Sequence, residues 1–383
     1  MAPSERPLTV SVDATSLLDR PTGVGVFARH LLDGLAARPD VVRPSTFAIS
    51  FRGRRRLPGV VPPGTAVRSR PVPARLARPL WAHTSVPSAT WLGGRADVVH
   101  GPNHVVPPDR HAAEVVTVHD LTAVRFPELC TPEVRRWPAL LDRSVARGAW
   151  IHTPTEAVAE EVRERWPAAA ERTVAIHHGI TAAPPETSST DAAEGRRLAG
   201  AERYVLAIGT VEPRKDLPGL VAAFDRIADD RPDVRLVVAG PDGWGTDEFL
   251  AARRSVRHPR RIVRLGWVYD GARLALLRGA SVVAYPSRYE GFGFIPLEAL
   301  AVGTPVVATR LPAIEEVTGD AALLVEPGDP DDLAAGLAAV LDGDDDTSAR
   351  LALGHQRLDR LRWDAATDAF VDLYTRAAAA RRR

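Results

Sequence analysis

Cysteine occurs once in the 383 residues, at Cys130, which excludes an internal disulfide and a thiolate zinc cage. No stretch approaches the ~20 consecutive apolar residues of a membrane-spanning helix. The opening MAPSERPLTVSVDATS has no basic region followed by an apolar run, so no secretory leader is expected. Together these absences fit a protein of the reducing cytoplasm. Lysine is almost missing as well: of 49 basic residues 48 are arginine, and the exception is Lys215. Such a bias fits a GC-rich genome, in which lysine codons are scarce. Asparagine also occurs once, at Asn103.

Acidic residues are missing from one long segment. None lies between Asp40 and Asp97, where ten arginines occur: Arg43, Arg52, Arg54, Arg55, Arg56, Arg68, Arg70, Arg75, Arg78 and Arg95. Two readings stay open: a set of solvated loops, or a face that meets an anionic membrane or an acidic acceptor at the inner side of the membrane. Nucleic acid is not expected, because no aromatic interleaving or binding motif accompanies the arginines.

What is present is an ordinary globular composition, 45% hydrophobic and 25% charged, with a net charge of +1. The length exceeds that of most single cores, so two domains are expected. The first half opens with an apolar strand at Leu8–Val12. A glycine-rich TGVGVF follows, then Val24, Phe27, Leu31, Leu32 and Leu35 at helical spacing. Further strands are predicted at Asp97–His100 and Glu114–His119, and helices at Pro132–Arg147 and Glu156–Arg165. Residues 51–96, rich in Pro and Arg, give no clear prediction. At 181–200 the composition turns to Ala, Pro, Ser, Thr and Glu, which reads as a linker.

Beyond it the rhythm is regular. Strands YVLAIGT, VRLVVAG, IVRLGW, SVVAYP, TPVVAT and AALLVEP alternate with helical stretches at Leu217–Asp229, Gly271–Leu277, Ile295–Val302 and Asp331–Leu341. Strands without polar alternation, separated by helices, predict an α/β fold whose parallel sheet is covered on both faces. Ligands of such sheets bind beyond the carboxyl ends of the strands.

The strongest constellation is SVVAYPSRYEGFGFIPLEALAVGTPVVAT. Its strand ends at Pro286, a loop carries Glu290, Gly291 and Gly293, and a helix begins near Phe294. Small residues let backbone N–H groups approach a ligand, and the helix N-terminus favours an anion, so the loop is suited to phosphate. Glu290 and Glu298 flank it and are expected beside one pocket. Carboxylates next to a phosphate site make sense if the ligand is a sugar nucleotide, whose vicinal hydroxyls they would accept from.

On these residues the chain resembles the family-4 retaining glycosyltransferases of GT-B fold, whose signature PSxxEGFG with a second Glu reads here PSRYEGFGFIPLE, Pro286 to Glu298. The resemblance continues in GTVEPRKDLPGLVAAF from Gly209, TGVGVFARHLL from Thr22, HDL from His119, TPTEAVAEEV, GDAALLVEPGDPDDLA and RWDAATDAF, nearly the whole chain in order. By this likeness the chain is similar to bacterial surface-polysaccharide mannosyltransferases.

The resemblance implies two Rossmann-like lobes with parallel sheets facing across a cleft: an acceptor-side lobe at 1–180, the linker at 181–200, a nucleotide-sugar-binding lobe at 201–360, and a C-terminal helix at 361–383 returning to the first lobe. It implies that Arg214 and Lys215 neutralise the donor diphosphate and that Glu298 binds the ribose. Glu290 faces the donor sugar, and Gly209, Gly291, Phe292, Gly293 and Phe294 contact the donor. Gly23 and Gly25 belong to a loop that closes on the diphosphate, and His119 lies near the sugar. Asp120 and Asn103 are placed on the acceptor side, with a turn-forming asparagine as the equal alternative for Asn103.

The implied reaction is retaining transfer of a glycosyl unit, mannosyl as first choice, from a GDP-, UDP- or dTDP-sugar to a glycan, lipid-linked or small-molecule acceptor. No Asp-X-Asp-like motif stands beside the diphosphate residues, so no metal and no further cofactor are expected. His178 in HHGI and Phe294-Ile295-Pro296 depart from common family patterns and leave the donor open. The rival readings are a GT-B sugar-nucleotide epimerase, a nicotinamide oxidoreductase suggested by GVGVF, and a non-catalytic sugar-nucleotide-binding homologue. The first does not call for both glutamates with the basic pair. The second lacks a full G-x-G-x-x-G. The third would typically have lost Glu290, Lys215 or His119.

Overall fold

Apolar runs such as YVLAI and LVVA find no solvent face, and they are satisfied here as parallel strands buried under helices on both sides. The computed structural model describes residues 6–18, 22–183 and 189–382. They divide into two units, Met1–Gly179 with Leu361–Arg383, and Ile180–Arg360.

The first unit runs β1 (Leu8–Asp13), α1 (Gly23–Ala36), β2 (Val42–Phe47), β3 (Ala66–Val67), α2 (Ala74–Trp81), α3 (Ala89–Gly93), β4 (Val98–Gly101), β5 (Ala113–Thr117), α4 (Thr122–Arg125), α5 (Trp137–Ala146), β6 (Trp150–Thr153), α6 (Glu156–Arg165) and β7 (Thr173–Ala175). Its seven strands are ordered β3-β2-β1-β4-β5-β6-β7, all parallel.

The second unit runs α7 (Ser189–Ala199), β8 (Arg203–Ile208), α8 (Leu217–Ala228), β9 (Val234–Ala239), α9 (Thr246–Ser255), β10 (Ile262–Gly266), α10 (Asp270–Gly279), β11 (Val282–Tyr285), α11 (Phe294–Ala301), β12 (Val306–Thr309), α12 (Pro312–Thr318), β13 (Leu323–Val325), α13 (Pro330–Leu341) and α14 (Thr347–Leu358). Six parallel strands are ordered β10-β9-β8-β11-β12-β13.

In each unit the chain builds one half of the sheet outward from its first strand, then returns to the middle and builds the other half. The crevice at that reversal is where α/β sheets bind ligands. In the second unit it falls between β8 and β11, paired through Val205–Val282 and Leu206–Val283.

The last helix, α15 (Trp363–Arg382), belongs to the first unit. It seats Phe370, Leu373 and Tyr374 in the core with Phe27 and Leu31. A Cβ on Gly34 of α1 would lie 2.1 Å from the Thr367 hydroxyl oxygen, so the glycine is what lets the two helices approach so closely.

Three segments differ from the sequence reading. Residues 181–200, expected as a linker, contain α7, which packs on α10. Its Gly195 is so close that a Cβ would stand 2.0 Å from the Ala275 carbonyl oxygen. Residues 184–188 of that stretch lie outside the described residues, as does Arg383 of the tail. The helix predicted from Pro132 begins instead at Trp137, after a short 3-10 turn. Pro138 suits a first helical turn and could not continue a helix from 132 without losing a hydrogen bond and crowding the carbonyl four residues back. Residues 51–96 hold β3, α2 and α3.

Candidate active site

The loop between β8 and α8 and the loop between β11 and α11 meet at the reversal of the second sheet. The Arg288 backbone N–H donates to the Arg214 carbonyl at 2.8 Å, and the Arg214 guanidinium donates to the Tyr289 carbonyl at 3.0 Å. Two loops some seventy residues apart are thereby fixed in one register. The chain turns into α8 through Asp216, a non-glycine residue at φ 45°, whose carboxylate is reached by Arg288 at 3.2 Å. A further loop, GPDGWG at 240–245, presses on the first from behind. A Cβ on Gly240 would stand 2.0 Å from the Gly209 carbonyl oxygen, and one on Gly245 would be 2.8 Å from Pro213 N. Side chains at either glycine would push the Arg214–Lys215 turn out of place.

At the junction the carboxylate of Glu290 is shared by two cations. Lys215 Nζ donates to Oε1 at 2.6 Å, and an Arg214 guanidinium nitrogen lies 2.6 Å from Oε2. Glu290 is buried, which alone would raise its pKa. The adjacent Arg214 and Lys215 charges outweigh burial and hold it at about 2. Burial lowers the Lys215 pKa, with Glu290 opposing and Arg214 adding to the shift. Glu212 approaches Arg214 from the other side at 3.4 Å. Lys215 also donates to the Tyr285 hydroxyl at 3.0 Å and lies 4.5 Å from the centre of its ring. Tyr285 is kept protonated by burial first and Glu290 second. A shallow recess opens here, bounded by Gly209, Thr210, Lys215, Tyr285, Pro286 and Ser287 among others.

Glu298, the second glutamate of the PSRYEGFGFIPLE segment, has a cationic partner of its own. It lies in α11 and pairs with Arg273 of α10. Burial raises its pKa and Arg273 opposes that shift. Between the two glutamates, Gly293 caps α11 at φ 98°, and a Cβ there would meet Ile314 Cδ1 at 2.6 Å as well as strain the backbone. Phe292 and Phe294 meet edge to face at 5.0 Å. The sequence reading missed Tyr285 and Arg273. A strand-end tyrosine carries a signal only in its adjacency to PSRYEG, and Arg273 carries none, since its partner lies 25 residues away.

In the first unit the candidates stand at the carboxyl ends of β1, β4 and β5. Gly23 and Gly25 open α1, where the Gly25 N–H donates to the Thr22 hydroxyl at 3.3 Å; residues 19–21 of the preceding loop lie outside the described residues. Asn103 forms a tight turn, its carbonyl accepting from Val105 N–H at 2.7 Å around His104 at φ 58°. Asp120 accepts from the Thr122 N–H at 2.9 Å.

His119 Nε2 is 2.8 Å from the Pro102 carbonyl, which can only accept, so Nε2 carries the proton and Nδ1 presents a lone pair. Burial lowers the His119 pKa against the pull of Pro102 and Asp120, so the ring is neutral. Phe27 stands among His119, His152 and His178, with ring centres 5.4, 5.6 and 4.4 Å away. Among the described residues no cluster of His, Cys, Asp and Glu is arranged to hold a metal ion.

Two parallel-sheet units, the second carrying paired cations and a buried carboxylate at its sheet reversal, define a glycosyltransferase of GT-B fold. Residues 189–354 match the family described as glycosyl transferases group 1. The chain is 30% identical over 414 aligned positions to the D-inositol 3-phosphate glycosyltransferase of Geodermatophilus obscurus, covering 97% of this chain and 90% of that protein. It is 29% identical to the O-antigen chain mannosyltransferase B of Escherichia coli over 72% of this chain and 74% of that one. Its fold is similar to that of HepE of Anabaena, solved with UDP and glucose, with a TM-score of 0.69, 19% identity and coverage of 96% and 99% of the two chains. The chain belongs to the group 1 glycosyltransferases.

Proposed function

We propose that the enzyme transfers a glycosyl unit, mannosyl in the first instance, from a nucleoside-diphosphate sugar to an acceptor hydroxyl on a glycan, a lipid-linked glycan or a small molecule, with retention at the anomeric carbon. The observation that carries this reading is the pair Arg214 and Lys215, pre-ordered by Glu290 and Tyr285 beside a recess at the sheet reversal. Negative charge grows on the diphosphate as the glycosidic bond breaks, and fixed cations there lower the barrier without reorganising.

In the proposed step the sugar–phosphate C–O bond breaks and the phosphate leaves with the electron pair. The acceptor oxygen bonds to the anomeric carbon on the same face, and its proton passes to the departing phosphate oxygen. Glu290, ionised, orders the two cations and is positioned to accept from donor-sugar hydroxyls. Glu298 reads the ribose. Gly209, Gly291, Phe292, Gly293 and Phe294 supply donor contacts, and Gly23 and Gly25 contact the diphosphate. His119 accepts a sugar hydroxyl at Nδ1, while Asp120 and Asn103 shape the acceptor side. The reaction needs no metal, because side chains supply the positive charge.

A mass-spectrometric panel of GDP-, UDP- and dTDP-sugars, with NMR of the product anomer, tests this. One donor consumed with retained configuration is the expected result, and activity should survive EDTA. Inversion, or loss in EDTA restored by magnesium or manganese, would overturn the mechanism. The O-antigen mannosyltransferase likeness supports starting with a nucleotide-activated mannose.

A further inference from the structure

The arginine-rich segment is left unused by this chemistry. It contributes β2, β3, α2 and α3 at the β3 side of the first sheet. Eight of its ten arginines are exposed: Arg43, Arg52, Arg55, Arg56, Arg68, Arg70, Arg75 and Arg95. Among the described residues only Arg78 of the ten has a carboxylate partner, Glu133. Elsewhere arginines are routinely paired, as in Arg38–Asp368, Arg147–Glu114 and Arg231–Asp342. The segment is therefore a concentration of positive charge that the protein itself does not neutralise.

The same segment exposes apolar side chains. Helix α2, ARLARPLW, buries Ala77 and Trp81 and turns Leu76 and Leu80 outward, at 59% and 46% exposure. These leucines are four residues apart, so they share one face, and Arg75 is exposed on the same helix. Val86 and Trp91 are exposed as well, and the Arg70 guanidinium lies 5.0 Å from the Trp91 ring. Leucine and tryptophan among unpaired arginines form the pattern of an element lying in a lipid interface, where the apolar groups enter the acyl boundary and the cations meet headgroup phosphates. Nucleic acid would satisfy the arginines and leave Leu76 and Leu80 in water. No helix among the described residues is long and apolar enough to span a membrane, so any contact made by these helices is peripheral.

We propose that α2 and its flanking arginines dock the enzyme on an anionic bilayer surface, with Leu76 and Leu80 inserted. The test is sedimentation of the full chain with vesicles of phosphatidylcholine alone and of phosphatidylcholine with phosphatidylglycerol. Binding is expected to the anionic vesicles only, and to weaken as salt is raised to about 0.5 M, where screening is strong. The double variant Leu76→Ser/Leu80→Ser keeps every charge and should bind on the order of tenfold less tightly. It should retain the wild-type melting temperature and nucleotide-induced thermal shift, since neither leucine belongs to the core or the candidate site. Three results would each overturn the proposal: negligible binding to anionic vesicles at low salt, unchanged binding by the leucine variant, or a wild-type dimer that the leucine variant dissolves.

Discussion

Lys215 is the lone lysine in an arginine-rich chain, and its surroundings say why arginine should fail there. Its Nζ lies 2.6 Å from Glu290 Oε1 and 3.0 Å from the Tyr285 hydroxyl, and its Cε would be 3.6 Å from a Cβ on Gly209. A compact ammonium on a flexible stem fits that space, whereas a planar guanidinium needs a wider slot and meets its partners as a fork. The strength of the cluster can be gauged from Glu290. Moving a carboxyl from 4.5 to about 2 favours its charged form by about 3 kcal/mol. Two cations share that effect, and burial of the Lys215 charge offsets part of it, so Lys215→Ala should cost at most about 1–2 kcal/mol of stability at neutral pH. The contribution is complete above the unfolded value of 4.5 and fades as pH falls toward 2.

The catalytic loss should be larger than the stability loss. Removing one pre-organised electrostatic donor costs about 2–4 kcal/mol of transition-state stabilisation, or roughly 30- to 1000-fold in rate. Lys215→Arg is expected to lower kcat/KM within that range although the charge is retained, and Lys215→Ala by a similar factor. The assay is initial-rate nucleotide release with the donor identified by the panel, alongside thermal unfolding of each variant. An arginine variant with wild-type kcat/KM would refute the argument, because it would show that the position and shape of the cation do not matter.

Glu298→Gln should weaken nucleotide binding by about tenfold or more through loss of charge-assisted bonds to hydroxyls; calorimetry with GDP and UDP that finds unchanged affinity removes it from the site. His152 and His104 are lowered by burial from 6.5 to about 3 and about 4. The unfolded chain therefore takes up protons below 6.5 that the folded one refuses. Stability is complete above 6.5 and lost as pH falls toward the folded values, with about 2 kcal/mol per histidine gone near pH 5. Urea midpoints that stay level between neutral pH and about pH 4.5 would contradict this burial effect; Glu290 weakens only below that window. Gly34→Ala, despite its better helix propensity, should destabilise by about 1–3 kcal/mol by driving a Cβ into Thr367. Thr367→Ala in the same chain should recover part of the loss in a thermal melt.

Local sequence alone settled much of this protein. Unalternating apolar runs demand a parallel, doubly covered sheet, and PSRYEGFG between a buried strand and a helix predicts a ligand loop. As candidates, Glu290 was legible from its glycine-rich strand-to-helix loop, and Arg214 and Lys215 through the resemblance of GTVEPRKDLPGLVAAF to the family. The remaining features were hidden because their causes are not local. VRPSTF does not read as a strand, yet it is one: β3 pairs only with its Ser45 and Thr46, so Pro44 lies where β2 has no hydrogen-bonded neighbour on the β3 side. The stretch read as a linker yields a helix because Gly195 can press against the Ala275 backbone. Glu298 faces Arg273, and four histidines, His100, His119, His152 and His178, gather from widely separated segments around Phe27, beside Phe370 and Trp363 of the final helix. Hydrophobic periodicity reports which face of an element is buried. It does not report which distant element covers that face, and only the packed tertiary structure decides that pairing.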